Sequence, residues 1–221
     1  INPEGLLLVD SGGQYLEGTT DITRTFAMGP VTDEEKRHFT TVLKGNLRLG
    51  AVKFKEGCTG ENLDMVARQP LWEAGLDYNH GTGHGIGFVL NVHEVPARIN
   101  WKGRPGYGEN DPFKPGMIVS NEPGFYKEDA HGVRLENLIL CQEAETTEYG
   151  RFLNFETLTI VPFDLDAVDV TLLDSKEKQL LNATLEKMGA YELSEEIKKN
   201  LTSPENELQI KEQMDSLKEV T

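Results

Sequence analysis

Thiols, basic residues and long apolar runs are all scarce in this chain, and each shortage narrows what it can be. Two cysteines in 221 residues, Cys58 and Cys141, cannot build a disulfide framework. One follows a predicted helix and the other ends the apolar run Leu135–Cys141, so free buried thiols in a reducing compartment are the simpler account. Lys and Arg number 22 against 37 Asp and Glu, a formal net charge of −15. That balance argues against a nucleic-acid backbone or an anionic membrane as partner. No apolar run approaches the roughly 20 residues that a membrane span needs. There is no internal repeat, no low-complexity tract and no Gly-rich phosphate loop. No basic, apolar, small-residue signal segment opens the chain, which makes cytoplasm the default expectation. The chain starts with Ile1 rather than Met and runs straight into a strand, so it reads as trimmed.

What is present is an ordinary globular composition, 38% hydrophobic and 27% charged, long enough to bury a substantial core. Gly5–Asp10 reads as a buried strand ending in an acid, followed by a Gly12-Gly13 turn and a second strand, Ile22–Ala27, with Asp21 at its start. Thr32-Asp-Glu-Glu35 is a capping box. Phe39, Val42, Leu43, Leu47 and Val52 mark one apolar face of the helix it opens. Thr59 caps a second helix through Leu63, Val66, Ala67 and Leu71, which Pro70 is expected to kink or restart. Strands are expected at Phe88–Glu94, Met117–Asn121, Val133–Cys141 and Leu153–Pro162, with a polar Gly/Pro-rich loop before Pro115. Beyond Asp164 a helix starts near Asp174-Ser175, and a charged one spans Ser203–Val220 with Leu208, Ile210, Met214 and Leu217 as a thin stripe. The class is α+β: a mixed sheet covered by helices, with a helical tail. His38 and His131 read as surface and solvated residues.

Five residues stand out as ligands for a pair of metal ions. They are Asp10 in Val9-Asp-Ser-Gly-Gly, Asp21 in Thr20-Asp-Ile-Thr-Arg-Thr, His84 in His80-Gly-Thr-Gly-His-Gly-Ile-Gly, Glu122 in Asn121-Glu-Pro-Gly, and Glu136 in Arg134-Leu-Glu-Asn. Four hard carboxylates and one imidazole suit divalent Mn, Co, Fe or Zn in a dinuclear hydrolytic centre. Carboxylates can hold two ions about 3.5–4 Å apart because each offers two oxygens at a fixed bite. Glycines around His84 let backbone and substrate approach closely.

With those residues laid out, residues 5–165 resemble the pita-bread metallopeptidases, whose signature is this Asp, Asp, His, Glu, Glu order. Within them, Asp-Ser-Gly-Gly-Gln-Tyr, Gly-Thr-Thr-Asp-Ile-Thr-Arg-Thr and Asp-Tyr-Asn-His-Gly-Thr-Gly-His-Gly-Ile-Gly…Leu-Asn-Val-His-Glu are similar to the cytosolic, eukaryote-like Xaa-Pro aminopeptidases. Methionine aminopeptidases lack a histidine matching His80, and prolidases have it in a different context. The resemblance implies a pita-bread fold whose N-terminal part is missing here. Residues 1–165 would form the larger, C-terminal part of the catalytic domain, and 166–221 a helical extension used for homodimerisation. It implies that Asp10 binds one metal, that His84 and Glu122 bind the other, and that Asp21 and Glu136 bridge both, with Mn the expected ion. It further implies that His80 and His93 line the cleft and stabilise the tetrahedral intermediate. Glu122 would shuttle the proton to the leaving nitrogen, and Arg134 would orient ligands or substrate. The substrates would be peptides with proline second. The alternatives are a prolidase, restricted to Xaa-Pro dipeptides, and a pita-bread binding module without turnover.

Overall fold

The computed structural model describes residues 3–88, 91–102 and 111–188 of the chain. The N-terminal hairpin is longer than its apolar run suggests: β1 (Leu6–Tyr15) pairs antiparallel with β2 (Gly18–Ala27) across Leu16-Glu17. The turn expected at Gly12-Gly13 is instead strand. These glycines lie opposite Asp21 and Thr20, and a Cβ on Gly12 would sit 2.9 Å from the Thr20 carbonyl oxygen. Asp21 therefore lies inside β2 rather than at its start. Asp10 faces Thr23 and Gly12 faces Asp21, so the two acids are diagonal neighbours across the pair.

α1 (Asp33–Gly50) opens on the expected box, Thr32 and Glu35 capping each other's backbone N–H, with acids in its first turn. From His38 onward it is buried almost all round and forms the spine of the molecule. Val52 falls past its end, before the short strand β3 (Lys53–Lys55). α2 (Gly60–Glu73) runs unbroken through Pro70, which forfeits only the bond it cannot donate to Val66.

The chain then builds β4 (Gly83–Ile86), β5 (His93–Ile99), β6 (Ile118–Asn121), β7 (Gly124–Lys127), β8 (His131–Arg134), β9 (Asn137–Thr147) and β10 (Gly150–Thr157). Six of the strands form one sheet in the order β3-β10-β9-β6-β4-β5, and β7 pairs with β8 in a separate hairpin. The sheet expected to be mixed is antiparallel at every described pairing. The expected strand at 88–94 is displaced to β4 and β5, which flank that segment. The expected single strand Val133–Cys141 is two strands, broken at Leu135-Glu136. There the chain leaves β7, and the Glu136 N–H donates to the Thr23 carbonyl of β2 at 2.9 Å. Buried apolar residues on both sides of the break, Val133 and Leu135 before it and Leu138 and Ile139 after it, make the stretch read as one strand.

Two apolar cores lie on either side of α1. One gathers Phe39, Val42, Leu43, Leu71 and Val133 with Phe163, Ala167, Leu173 and Leu181. The other packs Leu49, Leu63 and Ala67 against Val119, Ile139, Cys141, Leu153 and Phe155. Residues 166–188 thus share α1's core. α3 (Ser175–Met188) lies against α1, where Arg48 pairs with the buried Glu177 at 2.7 Å. The expected helix at Ser203–Val220 lies outside the described residues. Cys141 is buried and Cys58 half-buried, and neither is in a disulfide. Among the described residues no helix is long and apolar enough to cross a membrane.

Candidate metal centre

Five separate pieces of chain deliver acids or imidazoles to one cavity of about 320 Å³. The β1–β2 hairpin brings Asp10 and Asp21, β4 brings His84, the residue after β6 is Glu122, and the break before β9 is Glu136. His93, the first residue of β5, also lines it. One ligand atom each from Asp21, His84 and Glu136 fall within 4.8 Å of one another.

Glycine makes the β4 approach possible. A Cβ on Gly83 would lie 2.0 Å from the Ser120 carbonyl oxygen of β6, and one on Gly85 would lie 2.2 Å from the Glu94 oxygen of β5. Only glycine on both sides of His84 lets β4 sit this tightly between its neighbours. The ring is then fixed: His84 Nδ1–H donates to the Gly85 carbonyl at 3.0 Å, which turns Nε2 to Glu122 (3.1 Å) and Asp21 (3.4 Å). That is the orientation in which an imidazole serves as a metal ligand.

The electrostatics of this cluster ask for a cation. Burial pushes the Glu136 carboxyl up to about 8, and the nearby Glu122 and Asp21 charges add to it. Burial lowers the His84 imidazole, but the bonds to Asp21 and Glu122 outweigh it and raise it to about 10. Glu136 is 2% exposed; its Oε2 accepts from the Thr23 hydroxyl at 2.7 Å, while Oε1 has no hydrogen-bond partner among the described residues. A buried carboxylate oxygen without a partner is costly unless something positive completes it. The donor set, all oxygen apart from one imidazole, fits hard or borderline divalent ions.

Around these groups runs a chain of hydrogen bonds. Arg134 donates from Nε to the Thr23 hydroxyl (3.1 Å), from Nη1 to the Tyr126 phenol (3.1 Å) and from Nη2 to Asp10. The Tyr126 hydroxyl meets His80 Nε2 at 2.9 Å, and His80 Nδ1 lies 2.8 Å from the Gly81 carbonyl. Nδ1 therefore carries the proton and Nε2 accepts from Tyr126. Burial holds the His80 imidazole below its ordinary value. The Asp10 side chain is 55% exposed and engaged with Arg134, so it stands at the rim, apart from the buried trio. His93 is exposed, with its ring edge-on to His84 at 4.0 Å between centroids.

Several supporting residues carry no signal that a sequence reading picked out. Tyr126 links two residues singled out above but sits in a hairpin without pattern. Arg24 is 3% exposed and donates to the carbonyls of Pro162 and Glu136 and to Asn137. The signal available for it was an arginine inside a strand of threonines, three residues after Asp21. Arg68 of α2, paired with the buried Asp64 at 2.7 Å, donates to the carbonyls of Tyr78 and His80 and so holds the segment that leads into β4. His38 and His131, expected at the surface, are a bonded pair: His38 is 5% exposed and the two rings meet at 2.9 Å between Nδ1 and Nε2. The capping pattern of α1 marks its outer face only for the first turn, and His38 lies one turn further in.

The model of metallopeptidase family M24 matches residues 1–143, and that of the C-terminal region of the same peptidases matches residues 151–206. Over 185 residues the chain is 49% identical to a probable Xaa-Pro aminopeptidase P of Botryotinia fuckeliana, covering 82% of the chain and 28% of the relative. Over 186 residues it is 48% identical to aminopeptidase P2 of Arabidopsis thaliana, covering 83% and 26%. The crystal structure of X-prolyl aminopeptidase from Caenorhabditis elegans, described as a cytosolic enzyme with a di-nuclear active site, superposes with a TM-score of 0.74 at 34% identity, over 99% of this chain and 33% of that one. Prolidase from Pyrococcus furiosus gives a TM-score of 0.58 at 30% identity, over 70% and 41%. The chain thus spans between about a quarter and a third of the length of the Xaa-Pro aminopeptidases it matches.

Proposed function

This chain belongs to metallopeptidase family M24, and from that premise we propose that it is the catalytic part of a metal-dependent exopeptidase that cleaves the bond between an N-terminal residue and a following proline. The observation that carries the reading is the convergence of Asp21, His84 and Glu136, one of whose buried oxygens has no partner among the described residues, on a cavity open to solvent at Asp10 and His93. The names of the relatives support the proline preference.

In this proposal two divalent ions would be held by Asp10, Asp21, His84, Glu122 and Glu136. Mn suits a shell this rich in carboxylate, and Co, Fe or Zn could also occupy it. When bound, such ions polarise a peptide carbonyl and make water nucleophilic near neutral pH. The protein's own groups do the rest. The Ser120 hydroxyl donates to Glu122 Oε1 at 2.9 Å and His84 lies beside the same oxygen, which fixes this carboxylate at the cavity wall. Glu122 is placed to take a proton from the attacking water and return it to the proline nitrogen as that leaves. His93, exposed at the cavity, donates to the oxygen that gains charge in the transition state. His80 supports that side of the cleft through Tyr126, and Arg134 ties Tyr126 to Asp10 and Thr23.

Residues 1–165 are proposed as part of the catalytic domain, and 166–221 as the region through which a homodimer forms. A cytoplasmic location accords with the description of the Caenorhabditis elegans enzyme. The test is to supply Mn and compare Xaa-Pro-Xaa tripeptides with Xaa-Pro dipeptides. Release of the first residue from the tripeptide is the expected result. Cleavage of dipeptides alone marks a prolidase, and binding without cleavage marks a module without turnover.

A further inference from the structure

Asn46 lies in the middle of α1, is 2% exposed, and touches no residue assigned to the chemistry above. Its amide donates both hydrogens to backbone carbonyls far apart in sequence. One goes to the Asn121 oxygen at 2.9 Å and the other to the Leu135 oxygen at 3.0 Å. Asn121 immediately precedes Glu122, and Leu135 immediately precedes Glu136. A single side chain therefore holds the peptide unit leading into each glutamate.

Two contacts are returned to Asn46, while Asn121 Oδ1 has no hydrogen-bond partner among the described residues. The Asn121 amide donates to the Asn46 carbonyl at 2.9 Å, and the Asn137 amide donates to Asn46 Oδ1 at 3.2 Å. Asn121 and Asn137 face each other as the last pair of the β6–β9 ladder, so the two glutamates leave the sheet at the same end of that ladder, one from each strand. Past that pair no ladder bond ties β6 to β9. The Glu122 N–H turns to the Thr82 carbonyl at 2.8 Å and the Glu136 N–H to the Thr23 carbonyl at 2.9 Å. All three asparagines are buried, where an amide locks in one orientation because each lost bond exposes an unpaired group to a dry interior.

We propose that Asn46 is a positioning residue that sets the separation of Glu122 and Glu136, with Asn121 and Asn137 as its orienting partners. The role rests on the reading of both glutamates as metal ligands, since a pair of ions tolerates little error in carboxylate spacing.

Asn46→Leu in the whole chain keeps the volume and removes both donors. In the metal-free protein, hydrogen exchange at the Glu122 and Glu136 amides should quicken about tenfold or more, while the Ile139 and Leu153 amides exchange as in the parent. Affinity for Mn, titrated calorimetrically, should fall about 10- to 100-fold, the range seen when groups that orient ligands are removed. Unchanged exchange at the two glutamates, or an equal rise across the sheet, would overturn the proposal, because a purely structural asparagine loosens everything or nothing in particular. If Asn46→Leu does not fold, Asn121→Ala, which removes the bond from its amide to the Asn46 carbonyl, must show the same local pattern at smaller size, and its absence counts against the role equally. A parent chain that takes up no Mn contradicts the metal reading, and the exchange result then still decides whether Asn46 is a clamp.

Discussion

At Glu136 one oxygen is satisfied by Thr23 and the other by nothing among the described residues, and both lie in the interior. A carboxylate there is unfavourable in the metal-free protein: its carboxyl is raised to about 8 against about 4.3 in an unfolded chain, so the folded state gives up stability as pH rises through that window. Glu136→Gln removes the charge while keeping an acceptor for Thr23. The expected outcome is a metal-free protein that melts a few degrees higher at pH 7–8, paired with loss of at least one bound ion, read by calorimetry and metal counting. A lower melting temperature with full metal content would refute it. His93 makes the opposite kind of case. It is exposed and rests against His84 outside the buried trio. His93→Ala should leave metal content intact and lower kcat by about 10²-fold, measured with a Xaa-Pro-Xaa peptide on the active protein.

The β7–β8 hairpin carries Tyr126 and Arg134 to the site and is pinned to α1 at its far end. His131 bonds His38, Phe125 lies 4.2 Å from the His38 ring, and Lys127 bonds Glu34 at 2.7 Å. Burial, with the His131 charge next, holds the His38 imidazole below its ordinary value; Glu34 opposes this, and Arg37 and Lys127 reinforce it. A depressed histidine favours the fold above the unfolded value of about 6.5, and that stability is lost as pH falls below it and the unfolded chain takes the proton first. His38→Phe should therefore flatten the decline in melting temperature between about pH 7 and pH 5. An unchanged slope would show that the pair does not titrate with unfolding. The β4 element makes a steric prediction: Gly83→Ala puts a methyl 2.0 Å from the Ser120 oxygen, backbone that cannot move aside. The expected cost is about 1–3 kcal/mol in a denaturant titration, with weakened Mn binding because His84 shifts with the strand.

For the molecule as a whole, the −15 net charge and the cluster of acids mean that cations and the folded state favour each other. Mn at about a hundred times its dissociation constant should add roughly 2.7 kcal/mol, or about 5–10 °C in melting temperature for a chain of this size. A chelator should remove the gain, and Glu136→Gln should abolish most of it. No Mn-dependent shift in the parent would argue that these residues alone do not hold the ions.

The amino-acid sequence alone put forward the candidate ligands Asp10, Asp21, His84, Glu122 and Glu136 in their order, because chemistry is carried by side-chain identity and glycine spacing, which need no coordinates. It determined α1 through its capping box, and the apolar stretches that became β1, β6 and β9. It could not locate the break at Leu135-Glu136, since burial on both sides of a strand erases the period that marks a register change. It could not see Asn46, Arg24, Arg68 or Tyr126 as supports of the site, because each acts on backbone or side chains brought near only by folding. The bond between His38 and His131 belongs to the same class. They are separated by most of the sheet in sequence, and only the packing of the β7–β8 hairpin on α1 turns two apparent surface residues into one bonded, partly buried pair.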